Sequence, residues 1–181
     1  MFKVLVDPGH GGTDPGATYK KIHEADLNLE LSNLLTTELD KLGITINQTR
    51  INDTFISLID RVKMQKSYKP NLFVSVHCNS FMDSKVRGFE VLFYSPASKG
   101  CLVAKEIIKD ISTNPKFVLH GSGLVVRNDL YVLKSTTCPA ILIENFFVSN
   151  AADRKILNSL VDKTLLMKTI ANAVWNICRQ I

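Results

Sequence analysis

Val4-Leu5-Val6-Asp7-Pro8-Gly9-His10-Gly11-Gly12 sets an apolar strand directly against a glycine-rich loop that carries one histidine. A run of this kind fits a strand buried on both faces, and in open α/β sheets ligands gather beyond the carboxyl ends of such strands. Two later runs end alike. Asn71-Leu72-Phe73-Val74-Ser75-Val76 leads into His77-Cys78-Asn79, and Ala140-Ile141-Leu142-Ile143 leads into Glu144-Asn145. Three strand ends therefore offer His, His and Glu, which is the side-chain chemistry of a zinc hydrolase.

The segments between these runs read as helices and further strands. From Glu24 to Leu42 the leucines 27, 31, 34, 35, 39 and 42 recur at helical spacing until Gly43 stops them, with Glu24 and Asp26 in the first turn and Lys41 in the last. Ile44 to Arg50 alternates like a half-exposed strand at one side of a sheet. Ser57 caps a helix carrying Leu58, Val62 and Met64 that ends near Pro70. Gly88 to Tyr94 alternates as a strand, and Lys99 to Ile111 is helical by the spacing of Val103, Ile107 and Ile111. Thr113 to Asp129 is the least periodic part and reads as a loop, of the kind that lines sites. Leu130 to Leu133 reads as a short strand. Ala151 to Leu157 and Leu160 to Ile181 read as helices, the last turning Leu165, Ile170, Ala173, Val174 and Ile177 to the core. Alternation of this sort predicts an α/β layer fold with a largely parallel sheet.

At 181 residues and 45% apolar composition the chain fits one domain spanning residues 1–181. The 22 Lys plus Arg exceed the 17 Asp plus Glu, a net charge of +5 that suits a mildly anionic partner. The basic residues are scattered, so nothing marks a nucleic-acid interface, and no apolar run has transmembrane length. The four cysteines form no CxxC pair and the chain opens on a strand instead of a signal peptide. Reduced thiols and synthesis in the cytoplasm are the expectation.

Glu24 is the best third ligand for the two histidines, because a helix starting just after the first loop can turn its first carboxylate back toward His10. His23, Asp7 and Asp14 compete for that place on spacing alone. Glu144 stands apart: a carboxylate at the end of an apolar strand is desolvated without a structural task, which suits a general base that later returns its proton to a leaving amine. Cys78 neighbours His77 but points to the opposite face of a strand and reads as a packed thiol. The glycines around His10 lack the GK[ST] or GxGxxG spacing of a phosphate loop.

Taken together, Asp7-Pro8-Gly9-His10-Gly11-Gly12, Glu24-Ala25-Asp26-Leu27-Asn28-Leu29, Arg50, Arg61, Ser75-Val76-His77-Cys78-Asn79, Gly88-Phe89-Glu90-Val91 and Pro139-Ala140-Ile141-Leu142-Ile143-Glu144 with Phe147, Ser149 and Asn150 resemble the zinc N-acetylmuramoyl-L-alanine amidases of the amidase-3 type. The resemblance spans almost the whole chain. It implies one zinc held by His10, Glu24 and His77, Glu144 as catalytic acid and base, a mixed sheet of about six strands flanked by helices, and bacterial peptidoglycan as substrate. Asn79, Arg127 and His120 are candidate substrate contacts from loops near the strand ends. The family's usual Glu-x-Gly-Phe reads Glu144-Asn145-Phe146-Phe147 here, so a bulky ring replaces glycine and bears on the local loop and on stem-peptide preference.

Zinc-activated water with a glutamate base is the implied chemistry. The implied protein is a monomeric catalytic module of a phage endolysin, made in the cytoplasm and acting on the wall after release. Two rival readings carry other consequences. A zinc peptidase or other amidohydrolase would use the same residues on a different amide, and a non-catalytic wall-binding module would have no use for Glu144.

Overall fold

The computed structural model describes residues 1–181. The first half runs β1 (Lys3–Pro8), β2 (Thr18–Tyr19), β3 (Ile22–His23), α1 (Glu24–Lys41), β4 (Thr45–Gln48), α2 (Leu58–Tyr68) and β5 (Leu72–Asn79). The second runs β6 (Phe89–Phe93), α3 (Lys99–Ile111), β7 (Leu119–Val126), α4 (Tyr131–Ser135), β8 (Ala140–Phe147), α5 (Ala151–Leu157) and α6 (Leu160–Ile177). Six strands form one sheet in the order β4-β1-β5-β8-β6-β7, and β2 pairs with β3 in a small hairpin. The first four are mutually parallel, β6 is antiparallel to β8, and β7 is parallel to β6. The carboxyl ends of β1, β5 and β8 therefore share an edge with the start of β6, where Glu90 lies opposite Glu144.

Alternation along the strands sorts side chains between two unequal layers. Val4, Val6, Val74, Val76, Ile141 and Ile143 enter a core of 34 buried residues that also draws on α1, α3 and α6. Leu5, Phe73 and Leu142 enter a cluster of seven on the other face, covered by Val132 and Leu133 of α4. Asp7, Ser75, His77 and Glu144 continue the second set by the same two-residue period, so the chemistry-bearing side chains fall on the thinly covered face. Ser57 caps α2 as its position implies, its Oγ accepting from the Asp60 backbone N–H at 3.1 Å. No helix is long and apolar enough to cross a membrane.

Three sequence expectations are corrected. Leu130–Leu133 is not a strand: residues 131–135 form α4, because an apolar run this short does not distinguish a strand from one buried helical turn. The stretch Thr113–Asp129 is not all loop, since it contains β7, an edge strand whose glycines 121 and 123 at positive φ and mostly exposed side chains hide any alternation. Leu165 stays 41% exposed while Leu166, Met167, Ile170 and Val174 take the buried stripe of α6.

Phe146 explains why glycine is usual at its position. Asn145 and Phe146 together face Cys78 in a β-bulge between the His77–Glu144 and Asn79–Phe147 pairs, and Phe146 has φ 68. Its ring is fully buried, 5.8 Å from Phe89 and 5.9 Å from Phe117, so the substitution acts on the core. Phe146→Ala should cost about 3–5 kcal/mol for the lost ring. Phe146→Gly should cost about 1 kcal/mol less than that, because glycine alone is at ease in the left-handed region. Denaturant midpoints measure both; an alanine variant more stable than the glycine variant would refute the strain.

Candidate active site

His10 stands in a loop held open by two arginines. Arg50 donates from Nε to the Pro8 carbonyl at 3.0 Å and from Nη2 to the Gly9 and Ala25 carbonyls at 2.8 Å each. Arg61 donates to Asp7 Oδ1 at 2.5 Å, to the Pro8 carbonyl at 2.7 Å and to the His10 carbonyl at 2.8 Å. Asp7 is buried and also accepts from Thr49 Oγ1 at 2.6 Å and Ser75 Oγ at 2.8 Å, so it serves as the anchor of this loop and not as a ligand. The backbone of His10 is thereby kept in the left-handed region at φ 59. His23 is exposed at the start of α1 and takes no part.

His10, Glu24 and His77 converge, their ligand atoms all within 4.8 Å of one another. Glu24 Oε2 is 3.2 Å from His10 Nε2, and Glu24 Oε1 is 2.9 Å from His77 Nδ1. Ligands sharing a tetrahedral zinc at ordinary bond lengths lie about 3.4 Å apart, so the cluster has the right scale. The Glu24 carboxylate accepts from the Ala17 N–H at 2.8 Å, Asn28 Nδ2 at 3.2 Å and the Cys78 N–H at 3.2 Å. These donors are neutral, and no lysine or arginine pairs with it, so its charge remains available to a cation. Asp14 is not a ligand but braces His10, its Oδ2 2.8 Å from Nδ1, the outer-shell support that metal-binding histidines need. The donor set and its bracing fit one zinc.

The electrostatics follow from this geometry. Burial opposes charge on His10, but the hydrogen bonds and charges of Glu24 and Asp14 outweigh it and raise the pKa to about 8. Burial would raise Glu24, yet the two imidazoles hold it well below the usual carboxylate range. Glu144 goes the other way. Burial raises it well above the usual value, the charges of Glu24 and Glu90 add to that, and Arg127 opposes them. Its Oε2 is buried without a hydrogen-bond partner, so nothing in the fold uses that oxygen. Cys78 is packed in the large core on the far face, its thiol pushed up by burial.

Glycines admit the ligands to one another. The space a Cβ would fill at Gly9 is occupied by the His77 ring, and at Gly16, with φ +65, such a Cβ would lie 2.6 Å from the His10 ring and 2.7 Å from Glu24 Oε2. Gly9→Ala should therefore displace His77 and weaken metal binding about 10–100-fold, as loss of ligand positioning does. Competition with a chromophoric chelator reads this, and unchanged affinity would show that the ring moves freely.

The other sequence candidates flank Glu144 on the β6 and β7 side. Asn79 Nδ2 donates to Glu90 Oε1 at 2.9 Å. Arg127 forms a two-pronged pair with Asp129 at 2.8 Å on each prong, and His120 lies 5.3 Å from the Phe147 ring with Nδ1 3.2 Å from the Arg87 carbonyl. Glu90 is a functional candidate that the sequence reading passed over, a buried carboxylate opposite Glu144 whose pKa is raised by burial. Its signal was a charge inside an otherwise apolar strand.

A sheet edge that gathers two histidines and one carboxylate beside an isolated second carboxylate is suited to metal-assisted hydrolysis. The chain belongs to the N-acetylmuramoyl-L-alanine amidase family, which matches residues 4–176. It is 30% identical over 174 residues to the probable cell wall amidase LytH of Staphylococcus saprophyticus, covering 94% of this chain and 56% of that protein. The chain thus spans about half the length of such curated relatives. The N-acetylmuramoyl-L-alanine amidase of Clostridium difficile 630 superposes with a TM-score of 0.92 at 28% identity, over 99% of this chain and 97% of that one. The catalytic domain of the CD27L endolysin targeting Clostridia difficile superposes with a TM-score of 0.83 at 25% identity, over 97% and 98% of the respective chains.

Proposed function

We propose that this chain hydrolyses the amide between the lactyl group of N-acetylmuramic acid and L-alanine in bacterial peptidoglycan, with one zinc held by His10, Glu24 and His77. The observation that carries the reading is Glu144, whose unpartnered buried oxygen stands on the same edge and face of the sheet as the ligand cluster. Zinc bound there supplies a Lewis acid that polarises the scissile carbonyl and acidifies water.

The chain's own groups divide the rest of the work. Glu144 takes a proton from the attacking water as the water oxygen bonds to the lactyl carbon, and the burial that raises its pKa strengthens it as a base. The same carboxyl then gives that proton to the alanine nitrogen as the carbon–nitrogen bond breaks, leaving a free amine and a lactyl carboxylic acid that ionises to solvent. Asp14 keeps the His10 ring oriented, and Asn79 restrains Glu90 beside the base. Likeness to the CD27L catalytic domain supports an endolysin-type catalytic module.

Digestion of purified peptidoglycan tests the reading. New amino ends should be L-alanine, with no new reducing sugar ends. Amino ends from a cross-link residue would indicate a peptidase, and reducing ends a glycosidase. Absence of any turnover by a zinc-loaded chain would leave a binding module.

A further inference from the structure

The metal-ligand cluster opens on one side into a cavity of about 410 Å³ that includes His10 and His77 in its lining. Its walls are apolar. Phe55, Ile56 and Leu58 come from the segment leading into α2, and Leu130, Tyr131 and Val132 from the start of α4. Phe55 is 50% and Tyr131 40% exposed, so both rings can be reached by a ligand from solvent. The Phe55 wall is built in: a Cβ on Gly12 would lie 2.6 Å from the Phe55 backbone nitrogen, so the glycine loop that presents His10 also lets this segment close over it.

Charge decides what the cavity can take. Its one cation, Arg61, already spends its donors on Asp7 and on the carbonyls of Pro8, His10 and Ile56, and is buried. Asp7 and Ser75 are consumed in the same network, and Asp14 is turned to His10 and the Gly16 N–H. Apart from a metal held at its inner end, an anionic group entering here would find no free counter-charge among the lining side chains and would be desolvated at a cost. On the opposite flank stands Arg127, whose guanidinium pairs with Asp129 while its charge also reaches Glu144 and Glu90.

We propose that this cavity is the subsite for the N-acetylated sugar on the acyl side of the scissile amide, and that the carboxylate-bearing peptide leaves toward β7. This rests on the amidase reading and adds the orientation of its substrate. A muramoyl ring is uncharged apart from the acyl group being cleaved. Its C–H faces suit the electron-rich faces of Phe55 and Tyr131, and its acetyl methyl suits Ile56, Leu58 and Val132.

The test crosses two substitutions, Phe55→Ala and Tyr131→Ala, with two soluble substrates, an N-acetylmuramoyl peptide and the same peptide acylated with plain lactate. Each substitution should lower kcat/KM on the sugar-bearing substrate about tenfold more than on the lactoyl one. The methyl glycoside of N-acetylglucosamine, which has the same acetamido ring and no carboxylate, added to the zinc-loaded chain, should shift the amide resonances of residues 55–58 and 130–132, and less so in either variant. Equal losses on both substrates, or losses that grow with peptide length and not with the sugar, overturn the assignment, as does a glycoside that leaves those resonances still. Failure of the amidase reading looks different: wild-type chain then cleaves neither substrate at the lactyl amide, while the glycoside titration still decides whether the cavity holds the sugar.

Discussion

Glu144→Gln should lower amide hydrolysis by about 100–10,000-fold while leaving zinc stoichiometry at one per chain. The amide isostere keeps the shape of the side chain but can neither take the proton from water nor pass it to the leaving amine. Glu144 makes no contact with His10, Glu24 or His77 of the kind that binds them to one another, so the ligand cluster should survive the change. The swap also removes a carboxyl whose ionisation burial and two neighbouring acids oppose, so the variant should fold at least as well as the parent. Elemental analysis beside a rate measurement separates the roles. If Glu144→Gln lost the metal while Glu24→Gln kept it, the two glutamates would have exchanged places.

Stripping the ion should abolish activity, and zinc should restore it. Glu24 is the focus of this effect, because it touches both histidines and three backbone or side-chain N–H groups fix it in place. Metal uptake must displace the proton that His10 carries below about pH 8 in the ion-free chain. Apparent zinc affinity should therefore fall as pH drops below that value. The sign for stability of the ion-free chain follows from the same shift: a histidine raised from 6.5 to about 8 contributes fully below pH 6.5, and that contribution is lost as pH rises through 8. Full activity in a chain shown to be metal-free would refute the role of the ion.

The parts of this molecule that a sequence shows well are those where one physical demand dominates. β1, β5 and β8 are buried on both faces, so their apolar runs announce them, and the residues that end each run are at the site because the strands are parallel. Lys99–Ile111 is bounded as its periodicity predicts. Glu24 could be placed because α1 begins a few residues beyond the glycine loop, with only the β2–β3 hairpin between them. β7 and α4 escaped for opposite reasons: one is exposed and broken by glycines, the other is so short that four apolar residues serve either structure. Asp14 drew notice as a ligand when it is a brace, since spacing gives proximity to His10 but not which ring nitrogen it meets. Phe146 looked like a change to the site; its positive φ and buried ring become visible only when the bulge is seen to turn it into the core.

Hydrolysis of a soluble N-acetylmuramoyl-L-alanyl peptide in ¹⁸O-labelled water tests the central claim most directly, because the label marks the carbon that water attacks. The account predicts one heavy oxygen in the lactyl carboxylate of the sugar product and none in the peptide, which should leave with a free L-alanine amine. Label in a peptide carboxylate, with the lactyl carboxylate left light, would contradict it.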